Sequence, residues 1–146
     1  MYVTKRCSIT NHVLPGYHAF TGCDTVSAFA VKGKSKGMKL IMNNEAYIKA
    51  FVNFGFAWDL SPDITTELEA FVCELYGKKC SNVDRLRYDL FCARQGKIEP
   101  ECLPPCKANL VLHTKRANYQ AGIWRRAMIA NPIIPSPCGH GWTMKD

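Results

Sequence analysis

The sequence predicts a mostly α-helical fold, and three observations predict it. Apolar residues recur at helical spacing in several stretches, most cleanly in Ile64, Leu68, Phe71, Val72 and Leu75. Helix starts and stops punctuate the chain, as in Ser61-Pro62-Asp63 and Gly77. No segment alternates strongly enough to be a strand, Cys7–Ile9 being the one candidate. The chain has 146 residues, 47% of them hydrophobic, which suits one small domain with its own core.

The elements follow in order. Pro15 opens a helix through Phe20, and Gly22 ends it, since proline suits a first turn and glycine an exit. Gly33 and Gly37 bracket a lysine-rich turn, and a short helix follows through Lys39, Leu40 and Met42. Asn44 caps the next helix, whose face is Ala46, Tyr47, Ala50, Phe51 and Phe54, with Gly55 as the stop. Ser61-Pro62-Asp63 starts another: a capping hydroxyl, a proline and an acid at the positive end. Gly77 closes it, and Lys78 and Lys79 suit its negative end.

Ser81 with Asp84 resembles a capping box, and Val83, Leu86, Leu90 and Phe91 face inward up to Gly96. Pro100, Pro104 and Pro105 mark a break. A longer helix runs from Lys107 to Ala130, burying Leu110, Ala117, Ala121, Trp124 and Met128. Lys115, Tyr119 and Arg126 share another side of it. Residues 131–146 hold Pro132, Pro135, Pro137, Gly139 and Gly141 and read as a tail or linker after a helical domain over 1–130.

Charge and cysteine narrow the function. The net charge is +7. Lys32, Lys34, Lys36 and Lys39 fall close together with no acid among them. From Cys102 to Lys145 the bases Lys107, Lys115, Arg116, Arg125, Arg126 and Lys145 again meet no acid. Such stretches concentrate polyanions by long-range attraction, which points to nucleic acid as partner. No apolar run is long enough to span a membrane, and no export pattern occupies the first 30 residues, so the expected location is intracellular.

Cys73 and Cys92 sit among apolar residues and read as buried reduced thiols. Cys102, Cys106 and His113, with Cys138 and His140 beyond, lack any CxxC pair, so the spacing does not favour zinc.

The pointed motif is His18-Ala19-Phe20-Thr21-Gly22-Cys23-Asp24-Thr25 with Gly33-Lys34 downstream. An aspartate after a glycine turn projects a carboxylate, a hard ligand of the kind magnesium prefers. The Gly33-Lys34 turn offers backbone amides and ammonium groups to phosphate. Metal beside phosphate is the layout of two-metal phosphodiester cleavage. His18 reads as a structural, hydrogen-bonded histidine. No Cys–His–Asn order accompanies Cys23, so thiol catalysis is not expected of it. Trp124 reads as core, and Tyr119 as the better base-stacking candidate.

Over residues 11–43 this arrangement resembles the Gly-Cys-Asp or Gly-Ser-Asp element of flap-endonuclease-like nucleases of the PIN-like superfamily. The resemblance implies that Asp24 is a catalytic, metal-binding acid and that Gly33 and Lys34 belong to a DNA-gripping turn. The turn is more lysine-rich than the nuclease pattern. Such chemistry needs several acids, and only Asp24 stands in a motif; Glu45 and Asp59 lack one. On that analogy the other acids lie upstream, and the chain is the C-terminal part of a longer protein.

His18 to Thr25, Leu86-Arg87-Tyr88-Asp89-Leu90-Phe91-Cys92, Leu103-Pro104-Pro105-Cys106, Arg116-Ala117-Asn118-Tyr119-Gln120-Ala121, Ile123-Trp124-Arg125-Arg126, and Pro135-Ser136-Pro137 with Gly139-His140-Gly141-Trp142 carry a second resemblance. They are similar to a widespread set of uncharacterised invertebrate proteins related to mobile-element products. That resemblance brings no assigned activity.

The expectation is a nucleic-acid-binding helical domain, DNA being the partner and the nucleus the place, not catalytic alone. Lys32, Gly33, Lys34, Lys36, Lys39, Lys115, Tyr119 and Arg126 are its expected contacts. Magnesium belongs only to the nuclease alternative. A protein-interaction module is the other alternative.

Overall fold

A computed structural model describes residues 2–30 and 32–145. Among these, the helices in chain order are α1 Tyr2–Thr21, α2 Lys34–Met42, α3 Glu45–Asn53, α4 Pro62–Leu75, α5 Val83–Ala93 and α6 Lys107–Arg125. A 3-10 turn at Pro100–Cys102 precedes α6. The fold is mostly α, as expected, and no described helix is long and apolar enough to cross a membrane.

The local caps form where side-chain acceptors meet orphan helix amides. Asn44 Oδ1 accepts from Ala46 N at 3.0 Å and Tyr47 N at 3.3 Å. Ser61 Oγ accepts from Ile64 N at 3.3 Å. At α5 the cap is Asn82, not Ser81: its Oδ1 accepts from Arg85 N at 2.9 Å. Asp84 instead reaches across to α6, accepting from Lys107 N at 2.8 Å. Buried Glu69 ties three helices, accepting from Val83 N at 3.0 Å and pairing with Lys107.

The core lies between α1, α3, α4 and α6. Phe20, Phe51, Phe54 and Phe71 are all fully buried. Phe20 meets Phe51 at 5.7 Å and Phe54 at 6.1 Å, and Phe51 meets Phe71 at 5.2 Å, all edge to face. Each such pair contributes about 0.5–1.5 kcal/mol beyond its buried area. α1 packs on α3 and α6, and α2 packs on both α3 and α4. This places the end of α1 and the start of α2 side by side.

Several expectations are corrected. Cys7–Ile9 is helical, and α1 carries Pro15 inside it rather than at its first turn. An interior proline disturbs the ladder before it, and Arg125 reaches that region, donating to His12 O at 3.2 Å. Phe91 is 48% exposed and Cys92 is exposed, because α5 lies at the edge and buries only Val83 and Leu86. Cys73 is buried as expected.

α6 stops at Arg125 rather than Ala130, and Met128 is fully outside the core. The cause is the arginine pair. Arg125 donates to Phe54 O at 2.6 Å and Phe51 O at 3.0 Å, capping the end of α3. Arg126 donates to Gly55 O at 3.0 Å and Phe56 O at 2.7 Å. The residues after 130 form no helix, yet they dock on α6: Tyr119 Oη donates to Pro135 O at 2.9 Å, and Arg116 Nε to Gly141 O at 2.8 Å.

Candidate nucleic-acid interface

Asp24 sits at the tip of the turn that follows α1. The turn is closed by Cys23 N to Val26 O at 2.9 Å and Val26 N to Cys23 O at 3.3 Å. Gly22 starts it with φ +115, and a Cβ there would stand 2.7 Å from Ala28 Cβ, so glycine is required twice over. Thr25 Oγ1 donates to Gln120 Oε1 at 2.6 Å, fastening the turn to α6. The Asp24 carboxylate is exposed.

Magnesium needs several oxygen ligands in one place. Among the described residues no group of three His, Cys, Asp or Glu side chains is placed to hold a metal. Glu45 and Asp59 are exposed and do not gather with Asp24. Asp24 by itself therefore does not assemble the ligand set that a magnesium ion takes. His113 keeps both ring nitrogens within the protein: Nε2 donates to Phe20 O at 2.7 Å, and Nδ1 faces Ser27 Oγ at 3.5 Å.

The lysine group stands beside the Asp24 turn, but its ammonium groups are unequal. Lys34 Nζ donates to Gly22 O at 2.8 Å and to His18 Nδ1 at 2.6 Å. An ammonium can only donate, so His18 Nδ1 is the acceptor in this pair. His18 also stacks on Trp124, with ring centroids 5.3 Å apart. Lys36 Nζ donates to Leu75 O at 3.1 Å, at the carbonyl end of α4. Lys32 Nζ lies 4.4 Å over the Tyr76 ring. Lys39 is exposed and makes no hydrogen bond or ion pair among the described residues. Cations suit helix carbonyl ends, so Lys34 and Lys36 brace the fold while keeping their charge at this surface.

The start of α2 is the open feature. Its N-cap, Gly33, has an extended backbone with φ −72 and ψ 146, makes no side-chain cap, and leads into a first turn without an acid. The leading amides of α2 thus have no side-chain acceptor. Gly33 differs from Gly37. A Cβ on Gly37 would stand 2.5 Å from Tyr17 Oη, so internal packing demands glycine there. A Cβ on Gly33 would meet nothing within 4 Å, and its φ is ordinary. Among the described residues nothing requires Gly33 to lack a side chain.

Of the expected contacts on α6, Lys115 is exposed. The other two, Tyr119 and Arg126 just past the end of α6, are engaged within the protein. Tyr119 is buried, wedged against Trp58, His140 and Trp142, so its ring offers no face for a base. Arg126 is held by the carbonyls of Gly55, Phe56 and Gly122 and lies 4.2 Å over Trp58. The docked tail covers Tyr119, and helical spacing could not reveal that cover.

His113 beneath the Asp24 turn predicts a pH effect. Burial holds its pKa below the usual imidazole range; the Phe20 carbonyl opposes this and the Arg116 charge adds to it. The unfolded imidazole therefore takes a proton at a higher pH than the folded one. This contribution to stability is complete above about pH 6.5 and is lost as pH falls from there toward the folded value. Thermal unfolding is expected to show Tm decreasing on acidification below neutrality, with a weaker decrease in His113→Gln. Parallel profiles for the two proteins would contradict it.

No family model matches the chain, and neither a curated protein nor a solved structure matches it.

Proposed function

We propose that this chain binds nucleic acid, duplex DNA in particular, by seating backbone phosphates at the amino end of α2. One observation carries the reading: Gly33 leaves the N-terminal amides of α2 uncapped and open, in a position where neither packing nor backbone conformation calls for glycine. Helix amino ends favour anions through free N–H groups and the macrodipole. Lys32, Lys34 and Lys36 lie at or next to that end, Lys39 stands in the last turn of the same short helix, and Lys115 is a further exposed cation on α6. Only Lys78, Arg85 and Lys107 are in ion pairs among the described residues, so most of the positive charge is not neutralised internally.

On this reading the chain is a mobile-element-derived product acting in the nucleus. It is not catalytic alone. Asp24, exposed on the turn that follows α1, is the residue that the nuclease resemblance implies as a metal-binding carboxylate.

The test is anisotropy of a labelled duplex titrated at several salt concentrations. Each displaced counterion contributes about −0.9 to the slope of log affinity against log salt, so three or so phosphates give roughly −3. Lys39→Ala is expected to reduce that slope by about one, because it removes one contact without disturbing an internal bond. An affinity that does not change with salt would overturn the proposal.

A further inference from the structure

A concave surface borders the α2 end, between the segment 27–30, the end of α4, α5 and α6. It is a cleft of about 400 Å³, within the usual range for small-molecule sites. Its cations are Arg87 and Arg116, and Lys32 sits over Tyr76, which lines it. Among the described residues that line it, Glu101 is the acid.

The arginines are held in a particular way. Arg87 Nη1 donates to Pro104 O at 2.6 Å, and Arg116 Nε donates to Gly141 O at 2.8 Å. Each guanidinium has five N–H donors. A backbone carbonyl fixes the plane of the group without cancelling its charge. Neither arginine is in an ion pair among the described residues, Glu101 included. Two fixed, unneutralised guanidinium groups in one concave site match a compact dianion, since the planar fork pairs bidentately with phosphate oxygens. Leu112, 41% exposed, with Pro100 and Pro105 gives the same cleft an apolar wall beside the cations.

We infer that this cleft binds a phosphomonoester joined to a small flat or apolar body, of mononucleotide size. Arg87 and Arg116 grip the phosphate, and the Leu112–proline wall takes the body. The site borders the α2 phosphate seat at Lys32, but Arg87 and Arg116 take no part in that seat, so the two are tested separately. A free nucleotide and the phosphorylated end of a short strand present the same group.

The test is calorimetric titration of the whole chain with AMP, with adenosine and with inorganic phosphate. AMP is expected to bind at least about tenfold more tightly than adenosine, the difference one charge-assisted pair supplies. Inorganic phosphate is expected to bind more weakly than AMP. Equal binding of AMP and adenosine, or none, overturns the inference without any variant being needed. Arg87→Gln is expected to weaken AMP about tenfold with Tm little changed; a folded variant that binds AMP like the wild type overturns it.

Gly33→Asp separates the two sites. It is expected to retain AMP binding while losing duplex binding, and loss of both would place the phosphate at α2 and refute the cleft. A 5′-phosphorylated tetranucleotide, compared with its 5′-hydroxyl form, tells the strand-borne source from the free one: a preference larger than that of AMP over adenosine assigns the strand end, and a smaller one assigns the free nucleotide.

Discussion

Gly33→Asp is expected to weaken duplex binding by about tenfold to a hundredfold, the range that losing one or more charge-assisted hydrogen bonds implies. Two effects combine. The new carboxylate accepts from the leading amides of α2, the donors assigned to phosphate. It also places a negative charge at the positive helix end, where the incoming phosphate must sit. The fold is not the casualty. The extended backbone at Gly33 accepts any L-residue, and the added side chain meets open space. Aspartate is a better N-cap than glycine, so stability is expected to rise by about 0.5–1 kcal/mol. The signature is a Tm raised by roughly 2–4 °C alongside failing binding. A variant that is more stable and binds DNA as before would show that α2 is not the phosphate seat.

Asn118→Ala is expected to be the most damaging small change to the frame. Asn118 is 2% exposed. Its Oδ1 accepts from Gly55 N at 2.8 Å, and its Nδ2 donates to Ala57 O at 2.9 Å and Trp58 O at 3.0 Å. One side chain thereby closes the turn that leaves α3. Alanine strands a buried amide outright, while the two part-buried carbonyls recover water. The cost is about 2–4 kcal/mol, which lowers Tm on the order of 10 °C. DNA affinity measured well below the new Tm is expected to stay within about twofold, since Asn118 touches none of the lysines. A Tm within about 2 °C of wild type would show that the turn is held by something else.

The legible parts of the fold were the local ones. Asn44 and Ser61 cap amides two or three residues away, so their function is written in adjacent letters. The first half of α1 was not legible, because Pro15 reads as a helix start and the residue that answers its disturbance, Arg125, is far along the chain. The end of α6 was missed for the same reason: Arg125 and Arg126 fold back onto carbonyls of residues 51–56. Phe91 has the right period for burial, but periodicity does not say that α5 has a neighbour on one side only.

The site divides in the same way. The cluster of lysines around Gly33 is visible as composition. Which of them brace the protein is not, since Lys34 answers Gly22 and Lys36 answers Leu75 through space. The sequence presents Tyr119 as a free ring because its cover, the segment from Pro135 to Trp142, reads as a linker. The cleft arginines, Arg87 and Arg116, stand in separate words of the sequence, and no spacing rule brings them together.

The most direct test of the phosphate seat is amide NMR of the uniformly labelled chain titrated with a short DNA duplex. The backbone amides of Lys34, Ser35 and Lys36 are expected to shift most, with Gly33 and the Asp24 turn next. Shifts that leave those amides in place and gather instead on α5 or the docked tail would contradict the account.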